Sequence, residues 1–181
     1  GDDADLASCS AAGLMRREQT QFHWHNRHPD SGARFADFGD FLGSLRADKR
    51  KKIRQERRRV AQAGVHFRCV HGAHISARDW TFFYRCYERT YLEHGNAPYL
   101  TRDFFRRMAD HMPAHWVLFI AERDERPIAC SLLGIGPGAI EHDNASGQVA
   151  YGRYWGALER VDSLHFELCY NTPLARCIAH A

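Results

Sequence analysis

Apolar residues follow two different periods along this 181-residue chain, and the period predicts the type of each element. A helical spacing near 3.6 residues governs residues 37–62, 76–95 and 101–112, which we interpret as three helices. Other stretches alternate with period two, as expected for half-buried strands. The predicted strands are residues 19–24, 65–72, 116–121, 128–135, 148–155 and 163–170.

Capping and turn residues agree with these boundaries. Asp37, Ser76 and Thr101 can each accept a hydrogen bond at the start of one of the three helices. Residues 124–126 predict a hairpin turn between two of the strands. Asn171 or Thr172 is expected to cap a last helix whose first turn contains Pro173. The order of elements predicts an α+β fold, with a mixed and mostly antiparallel sheet flanked by helices.

The composition is that of a chain that buries a core, with 44% apolar and 12% aromatic residues. The six cysteines have no pair two or three residues apart, which argues against a zinc ribbon or a CxxC redox site. We therefore expect a reducing compartment, the cytoplasm. No apolar run approaches the roughly 18 residues of a membrane span. The first fifteen residues lack the apolar core of a signal peptide.

The positive charge is concentrated in one place. The net charge of the chain is +3, yet residues 46–60 alone carry +7, so the remainder sums to −4. Such a basic run indicates a local contact with phosphate groups, or a solvated helix. It contains no aromatic residue and only one Gln that could read a base, which argues against sequence-specific DNA binding.

Several segments resemble a known protein family in sequence and in order. The chain resembles the FemAB-like branch of the GNAT acyltransferase superfamily, which is named for peptidoglycan-bridge aminoacyltransferases. The matching segments are QFHWHN (21–26), FGDFLGSLRADKRKKIRQERR (38–58), YLTRDFFRRM (99–108), LFIAERDERPIACSLL (118–133), YGRYWGALE (151–159) and LHFELCY (164–170).

The resemblance implies a fold, a reaction and a donor. It implies a single GNAT-like domain over residues 19–181, C-terminally incomplete, preceded by a partly ordered leader at 1–18. It implies transfer of an acyl or aminoacyl group to an amine by direct attack in a ternary complex. The donor would be acyl-CoA or acetyl-CoA, or aminoacyl-tRNA, and no metal would be needed. The acceptor would be a small-molecule or peptide amine.

Three residues are candidates for acid–base chemistry. A carboxylate or an imidazole can take a proton from an attacking ammonium group, which makes Glu167 the first candidate base and His165 the second. The alternative for Glu167 is a structural ion pair, for example with Arg153. Tyr154 can donate a proton to the leaving group.

Further residues are candidates for substrate binding. Arg153 can bind a carboxylate or a phosphate through two hydrogen bonds. His23 and His25 alternate onto one face of the predicted first strand, where a pocket wall, ordinary packing and a metal site remain open as interpretations. The substrate-binding candidates are His23, Trp24, His25, Arg153, Trp155 and Tyr170. The polyanion-binding candidates are Lys51, Lys52, Arg54, Arg57, Arg58 and Arg59.

Two other functions are compatible with the sequence. A GNAT-like half can keep the fold without the donor site and act as a non-catalytic binding module. A contact with tRNA through the basic run predicts an RNA-associated protein whose binding weakens with salt.

Overall fold

The computed structural model describes residues 3–16, 22–138 and 147–180. The first helices are α1 (Asp3–Ala11), α2 (Phe38–Ser44) and α3 (Ala47–Gln62), followed by strand β1 (His66–His71). Two more helices, α4 (Ala77–Glu93) and α5 (Arg102–His111), precede strands β2 (Trp116–Arg123), β3 (Arg126–Gly138) and β4 (Gly147–Ala157). The C-terminal helix consists of α6 (Leu164–Phe166), a π-helical turn (Glu167–Asn171) and α7 (Thr172–Ala179).

The four described strands form one antiparallel sheet in the order β1-β2-β3-β4. The predicted α+β class is confirmed, and every strand pair among the described residues is antiparallel. The hairpin between β2 and β3 turns at Asp124 and Glu125, whose φ angles of 50° and 59° suit a tight two-residue hairpin turn. Among the described strands, β4 lies at one edge of the sheet.

Each face of the sheet carries its own layer of helices. The side chains of Leu118, Ile120 and Leu132 pack with α4 and α5 on the first face. Val117, Phe119 and Leu133 pack with α3 and the C-terminal helix on the second face. The core is therefore a three-layer arrangement around a central β2 that is buried over residues 116–121.

The predicted helices at 76–95 and 101–112 are confirmed, with their caps. Ser76 Oγ accepts a hydrogen bond from the Asp79 backbone N–H, and the Asp79 carboxylate accepts one from the Ser76 N–H in return. Thr101 Oγ1 accepts from the Phe104 N–H at 3.2 Å. Both capped helices, α4 and α5, also have an amphipathic face that packs against the sheet.

The prediction of one helix over 37–62 is wrong. The backbone becomes extended at Leu45 and Arg46, where ψ is 154° and 148°. Gly43 and Ser44 form helices poorly, and the Ser44 hydroxyl donates to the Phe41 carbonyl, which helps end α2. Arg50 then donates hydrogen bonds to the carbonyls of Gly43 and Leu45. These carbonyls at the C-terminal end of α2 would otherwise have no partner within the helix.

The prediction of a strand over 163–170 is also wrong, because this segment begins the C-terminal helix. Alternating apolar residues here also satisfy a spacing of four. Leu164 and Leu168 are buried, whereas Phe166 and Tyr170 face solvent with 53% and 55% exposure. Asn171 already has helical angles, so the predicted cap at 171 or 172 is wrong as well.

The first predicted strand lies only partly within the described residues. Residues 19–21 fall outside them, and residues 22–25 have no regular secondary structure. The face argument for His23 and His25 therefore has no strand to rest on, and both side chains are exposed.

Candidate active site on the edge strand

A β-bulge interrupts β4 within the YGRYWG segment. Leu132 pairs with Tyr154 and Leu133 pairs with Gly152, so Arg153 is an extra residue on β4. Bulges bend an edge strand and redirect side chains, and they are over-represented beside active sites. The bulge therefore sets the local geometry of three residues that the sequence analysis singled out, Arg153, Tyr154 and Trp155.

The bulge directs two consecutive side chains to the same face. Tyr154 packs with the core that faces α4 and α5. Gly134 of β3 points to that same face, because a Cβ placed on it would lie 3.6 Å from the ring of Trp116, a residue of the same core. The same Cβ would lie 4.0 Å from Arg153 Cγ, so the Arg153 side chain lies on that face too. In a regular strand Arg153 and Tyr154 would point to opposite faces. The Arg153 guanidinium lies 5.7 Å from the centre of the Tyr154 ring.

Gly156 brings β4 unusually close to α4. A Cβ at this position would lie 2.3 Å from the carbonyl oxygen of Cys86, so only glycine fits. Gly152 has no atom within 4 Å of the equivalent position. Of the two glycines in YGRYWG, Gly156 is therefore the one at which the backbone approaches another element closely.

The hydroxyl group of Tyr154 lies close to that of a second tyrosine, Tyr99. The hydroxyls of Tyr154 and Tyr99 are 3.3 Å apart, and Tyr99 is 64% exposed. Burial, assisted by the Tyr99 hydroxyl, raises the pKa of Tyr154 to about 12. Tyr154 is thus protonated at neutral pH and can donate a hydrogen bond there.

His165 lies on the other face of the sheet. Its ring is 5.2 Å from that of Trp155 and 6.0 Å from that of Tyr170. Partial burial lowers the pKa of His165 from its ordinary value of 6.5. The imidazole is neutral at physiological pH and can accept a proton. Trp155, His165 and Tyr170 are therefore brought together, whereas Tyr154 lies across the sheet from them.

Glu167 is buried and fully engaged in hydrogen bonds. Its Oε1 accepts from Arg57 Nε at 3.0 Å and from Thr172 Oγ1 at 3.2 Å. Its Oε2 accepts from Asn171 Nδ2 at 2.9 Å. The structure thus contains an ion pair at Glu167, formed with Arg57 of α3 rather than with Arg153. The Arg57 guanidinium also lies 4.7 Å above the Phe38 ring of α2.

The basic run divides into structural and solvent-facing residues. Arg50 closes the end of α2 and Arg57 binds Glu167, so both point inward. Lys52 lies 3.8 Å from Glu56. The remaining predicted polyanion-binding residues are exposed, and the structure shows no ion pair for them within its described residues. These solvent-facing cations are Lys51, Arg54, Arg58 and Arg59.

A groove at the end of α3 extends this cationic surface. It has a volume of about 490 Å³ and is lined by Arg59 of α3, Arg123 of β2 and Arg160 of the loop after β4. Arg123 donates to Glu159, and Asp162 also lines the groove. Three guanidinium groups from three elements form a surface that suits phosphate oxygens.

Trp24 belongs to a different cluster. Its ring lies 6.3 Å from that of Phe35 and 5.9 Å from that of Phe41. These contacts fix the segment before α2. Through them the structure groups Trp24 with the N-terminal aromatic residues, and its role in substrate binding stays a prediction.

The sequence analysis did not identify Tyr99, Arg123 or Arg160. Each lies in a loop or at a strand end, where periodicity gives no signal. Tyr99 follows Pro98 in a loop without a helical or strand pattern, and an exposed aromatic residue in such a loop is the one cue available.

The described residues contain neither a helix that could span a membrane nor a cluster of metal-binding side chains. No helix there is both long enough and apolar enough to span a membrane. In the same ranges, no three side chains of His, Cys, Asp or Glu lie close enough together to hold a metal ion.

Comparison with known proteins identifies the family. No curated protein matches the chain. The model of the FemAB-like family, described as peptidoglycan biosynthesis and recognition, matches residues 2–181. The match spans nearly the whole sequence and includes the bulged strand, α3 and the C-terminal helix. The chain belongs to the FemAB-like family.

Proposed function

We propose that the protein transfers an aminoacyl or acyl group to an amine of a peptidoglycan precursor at the edge of β4. The observation that carries this proposal is the bulge at Arg153, which places Arg153 and Tyr154 on one side of the strand while Trp155 and His165 lie on the other. In the acyltransferases that the sequence resembles, the donor carbonyl lies beside a splayed central strand. Backbone N–H groups of such a strand can stabilise the oxyanion.

His165 is the best candidate for the base. The attacking amine must lose a proton, and a neutral imidazole with a lowered pKa can accept it at physiological pH. Glu167 is 2% exposed and its carboxylate is held by Arg57, Asn171 and Thr172, so it is not presented to a substrate. We therefore assign Glu167 a positioning role, in which it fixes the C-terminal helix that carries His165.

Aminoacyl-tRNA fits the surface better than acyl-CoA as the donor. The exposed cations of α3 form a row about 12 Å long between Lys51 and Arg59, at 1.5 Å per residue. The row continues into the groove with Arg123 and Arg160. Such a row can contact several successive phosphates of a nucleic acid, whereas the few phosphates of CoA need only a local site. A cytoplasmic location, where aminoacyl-tRNA is available, belongs to this proposal.

The test is a transfer assay with two donors. The protein is incubated with an amine-bearing peptidoglycan stem peptide and either radiolabelled aminoacyl-tRNA or radiolabelled acetyl-CoA. We expect a labelled amide from aminoacyl-tRNA and a loss of at least about 100-fold in rate for His165→Gln. His66→Gln, which alters an exposed histidine of β1, is the matched control.

Two results would contradict the proposal. Equal rates for wild type and His165→Gln would remove His165 as the base. Salt-dependent binding of tRNA without formation of any amide would favour the non-catalytic binding module instead.

A further inference from the structure

Among the described residues, the cation at the β4 bulge has no acidic partner. Arg153 is exposed, and its guanidinium lies beside the Tyr154 side chain. No Asp or Glu of the described ranges forms an ion pair with it. Arg57, Arg68 and Arg123 each bind a carboxylate, whereas Arg153, like the solvent-facing cations of α3, forms no ion pair among the described residues. Arg153 differs from the cations of α3 because two tyrosine hydroxyls lie beside it.

Two tyrosine hydroxyls lie beside this guanidinium. The Tyr154 hydroxyl is adjacent to the Arg153 side chain and 3.3 Å from the hydroxyl of Tyr99. Tyr99 is 64% exposed, so its hydroxyl can reach a ligand from solvent. A tyrosine hydroxyl can both donate and accept a hydrogen bond.

The donors select the chemistry of the ligand. A guanidinium supplies hydrogen bonds to an anion, and its planar shape matches the two oxygens of a carboxylate. Of the two tyrosine hydroxyls, one donates to the other and the second is left to donate to the anion. The site offers one full positive charge, which balances a monoanionic carboxylate rather than a phosphate dianion. The cations suited to phosphate are on α3 and in the groove that it adjoins.

We propose that Arg153, together with the hydroxyls of Tyr99 and Tyr154, binds a carboxylate of the acceptor, so that the protein selects amines that also carry a carboxylate. This inference rests on the proposed function, because it names the acceptor of the same site. It adds Tyr99 as a specificity-determining residue. It also places the acceptor carboxylate on the α4 and α5 side of the sheet, so that the acceptor passes over the edge of β4 to bring its amine to His165 on the other side.

The test compares two probes that differ only in the carboxylate. Nα-acetyl-lysine and Nα-acetyl-lysine amide carry the same free amine, and their affinities for the full chain are measured by isothermal titration calorimetry. We expect the acid to bind at least about 10-fold more tightly than the amide, as one charge-assisted hydrogen-bonded pair provides. The ratio should fall to about 1 for Arg153→Gln and to an intermediate value for Tyr99→Phe.

Control measurements keep the outcome interpretable. Arg78→Gln, at an exposed position of α4, should keep the wild-type ratio, and unchanged melting curves should show that each variant folds. A wild-type ratio near 1, a ratio that survives in Arg153→Gln, or no binding of the acid at about 10 mM would overturn the inference. Tighter binding of inorganic phosphate than of the acid, lost in Arg153→Gln, would make this a phosphate site and overturn it equally.

The test is also separable from the proposed function. A carboxylate preference without amide formation would contradict only the transfer reaction. Amide formation with equal use of acid and amide would contradict only the carboxylate site.

Discussion

The Nε of Arg57 donates a hydrogen bond to Glu167 Oε1 at 3.0 Å. The two residues are 110 positions apart in sequence, and their bond joins α3 to the C-terminal helix. Glu167 is 2% exposed, and its other bonds come from Asn171 and Thr172 of the same helix. The guanidinium also covers the Phe38 ring. A single side chain of the basic run therefore ties α2, α3 and the C-terminal helix together.

Arg57→Ala should destabilise the fold. It leaves a buried carboxylate without its counter-charge, a change that costs several kcal/mol for a fully buried pair. Because the Arg57 side chain is 40% exposed, water can replace part of the lost bond, and we expect a loss of about 2 kcal/mol. Urea denaturation measures it. The neighbouring Arg58→Ala should change stability by less than about 0.5 kcal/mol, and equal losses for the two variants would contradict the structural role of Arg57.

Gly156→Ala should be far more damaging than Gly152→Ala. The new Cβ at 156 would lie 2.3 Å from the carbonyl oxygen of Cys86. That oxygen belongs to the backbone of α4 and cannot move aside as a flexible side chain could. We expect a loss of about 3 kcal/mol or failure to fold, against less than about 1 kcal/mol at 152. Thermal melting of the two variants, purified in parallel, makes the comparison. Similar melting temperatures would mean that β4 and α4 are not in the close contact described.

The rate of amide formation should fall at acid pH, with the midpoint of this acid limb below pH 6.5. Burial lowers the pKa of His165 from 6.5, so the neutral base persists to lower pH than in a free histidine. The rate should fall as His165 becomes protonated, and His165→Gln should remove this limb along with most of the rate. Initial rates of amide formation across the acid range provide the measurement. A limb centred above pH 6.5 would contradict the assignment.

The same pKa shift affects stability with a defined sign. Between the lowered pKa and 6.5 the unfolded chain binds more protons at this site than the folded chain does. The free energy of unfolding should therefore decrease as pH falls through this interval, by less in His165→Gln than in the wild type. Urea midpoints at several pH values measure the difference. The same decrease in both proteins would show that His165 is not responsible.

Binding of tRNA should depend on the solvent-facing side of α3. Removal of three positive charges by substitution to Gln at Lys51, Arg54 and Arg58 should weaken binding and reduce the slope of log Kd against log salt concentration by roughly 2–3. Fluorescence anisotropy at several salt concentrations gives the slope. Arg57 is left unchanged, because its loss would also disturb the fold.

A control with the same change in charge separates position from net charge. Gln substitutions at three exposed arginines of α4 and α5 should leave the slope nearly unchanged. These residues are Arg78, Arg85 and Arg107. An equal reduction in both triple variants would indicate attraction to the whole protein rather than to α3.

The sequence predicted elements correctly where independent signals coincide. Helix α4 has an apolar stripe, a capping box at Ser76 and Asp79, and a glycine just beyond its end. The β2–β3 hairpin has two apolar runs around a short polar turn. Period, cap and turn all agree in these cases, so the local preference and the tertiary fold lead to the same structure.

The segment at 164–170 was mispredicted because its pattern fits two periods. Leu164 and Leu168 satisfy a helical spacing, while the intervening Phe166 completes an alternation typical of a strand. Packing decided the outcome, since only the helix buries both leucines against the sheet and Val60.

Part of the candidate site could be identified from sequence and part could not. YGRYWG was found because glycines flank an Arg, a Tyr and a Trp in a predicted strand. The bulge itself was not predicted, because it depends on how β4 pairs with β3. The bond between Arg57 and Glu167 and the contact between Tyr99 and Tyr154 join distant segments, which no local pattern reports.

The central claim is that the bulge in β4 creates the site of transfer, and deletion of Arg153 tests it most directly. Deletion would join Gly152 to Tyr154 and restore a regular register with β3, while Arg153→Ala keeps the extra residue without its side chain. The measurement is the single-turnover rate of aminoacyl transfer from tRNA at saturating donor, with folding and tRNA affinity checked in parallel. We predict that the deletion variant folds and binds tRNA but forms no amide, whereas Arg153→Ala still turns over with a raised KM for the acceptor. Transfer at the wild-type rate by the deletion variant would contradict the account.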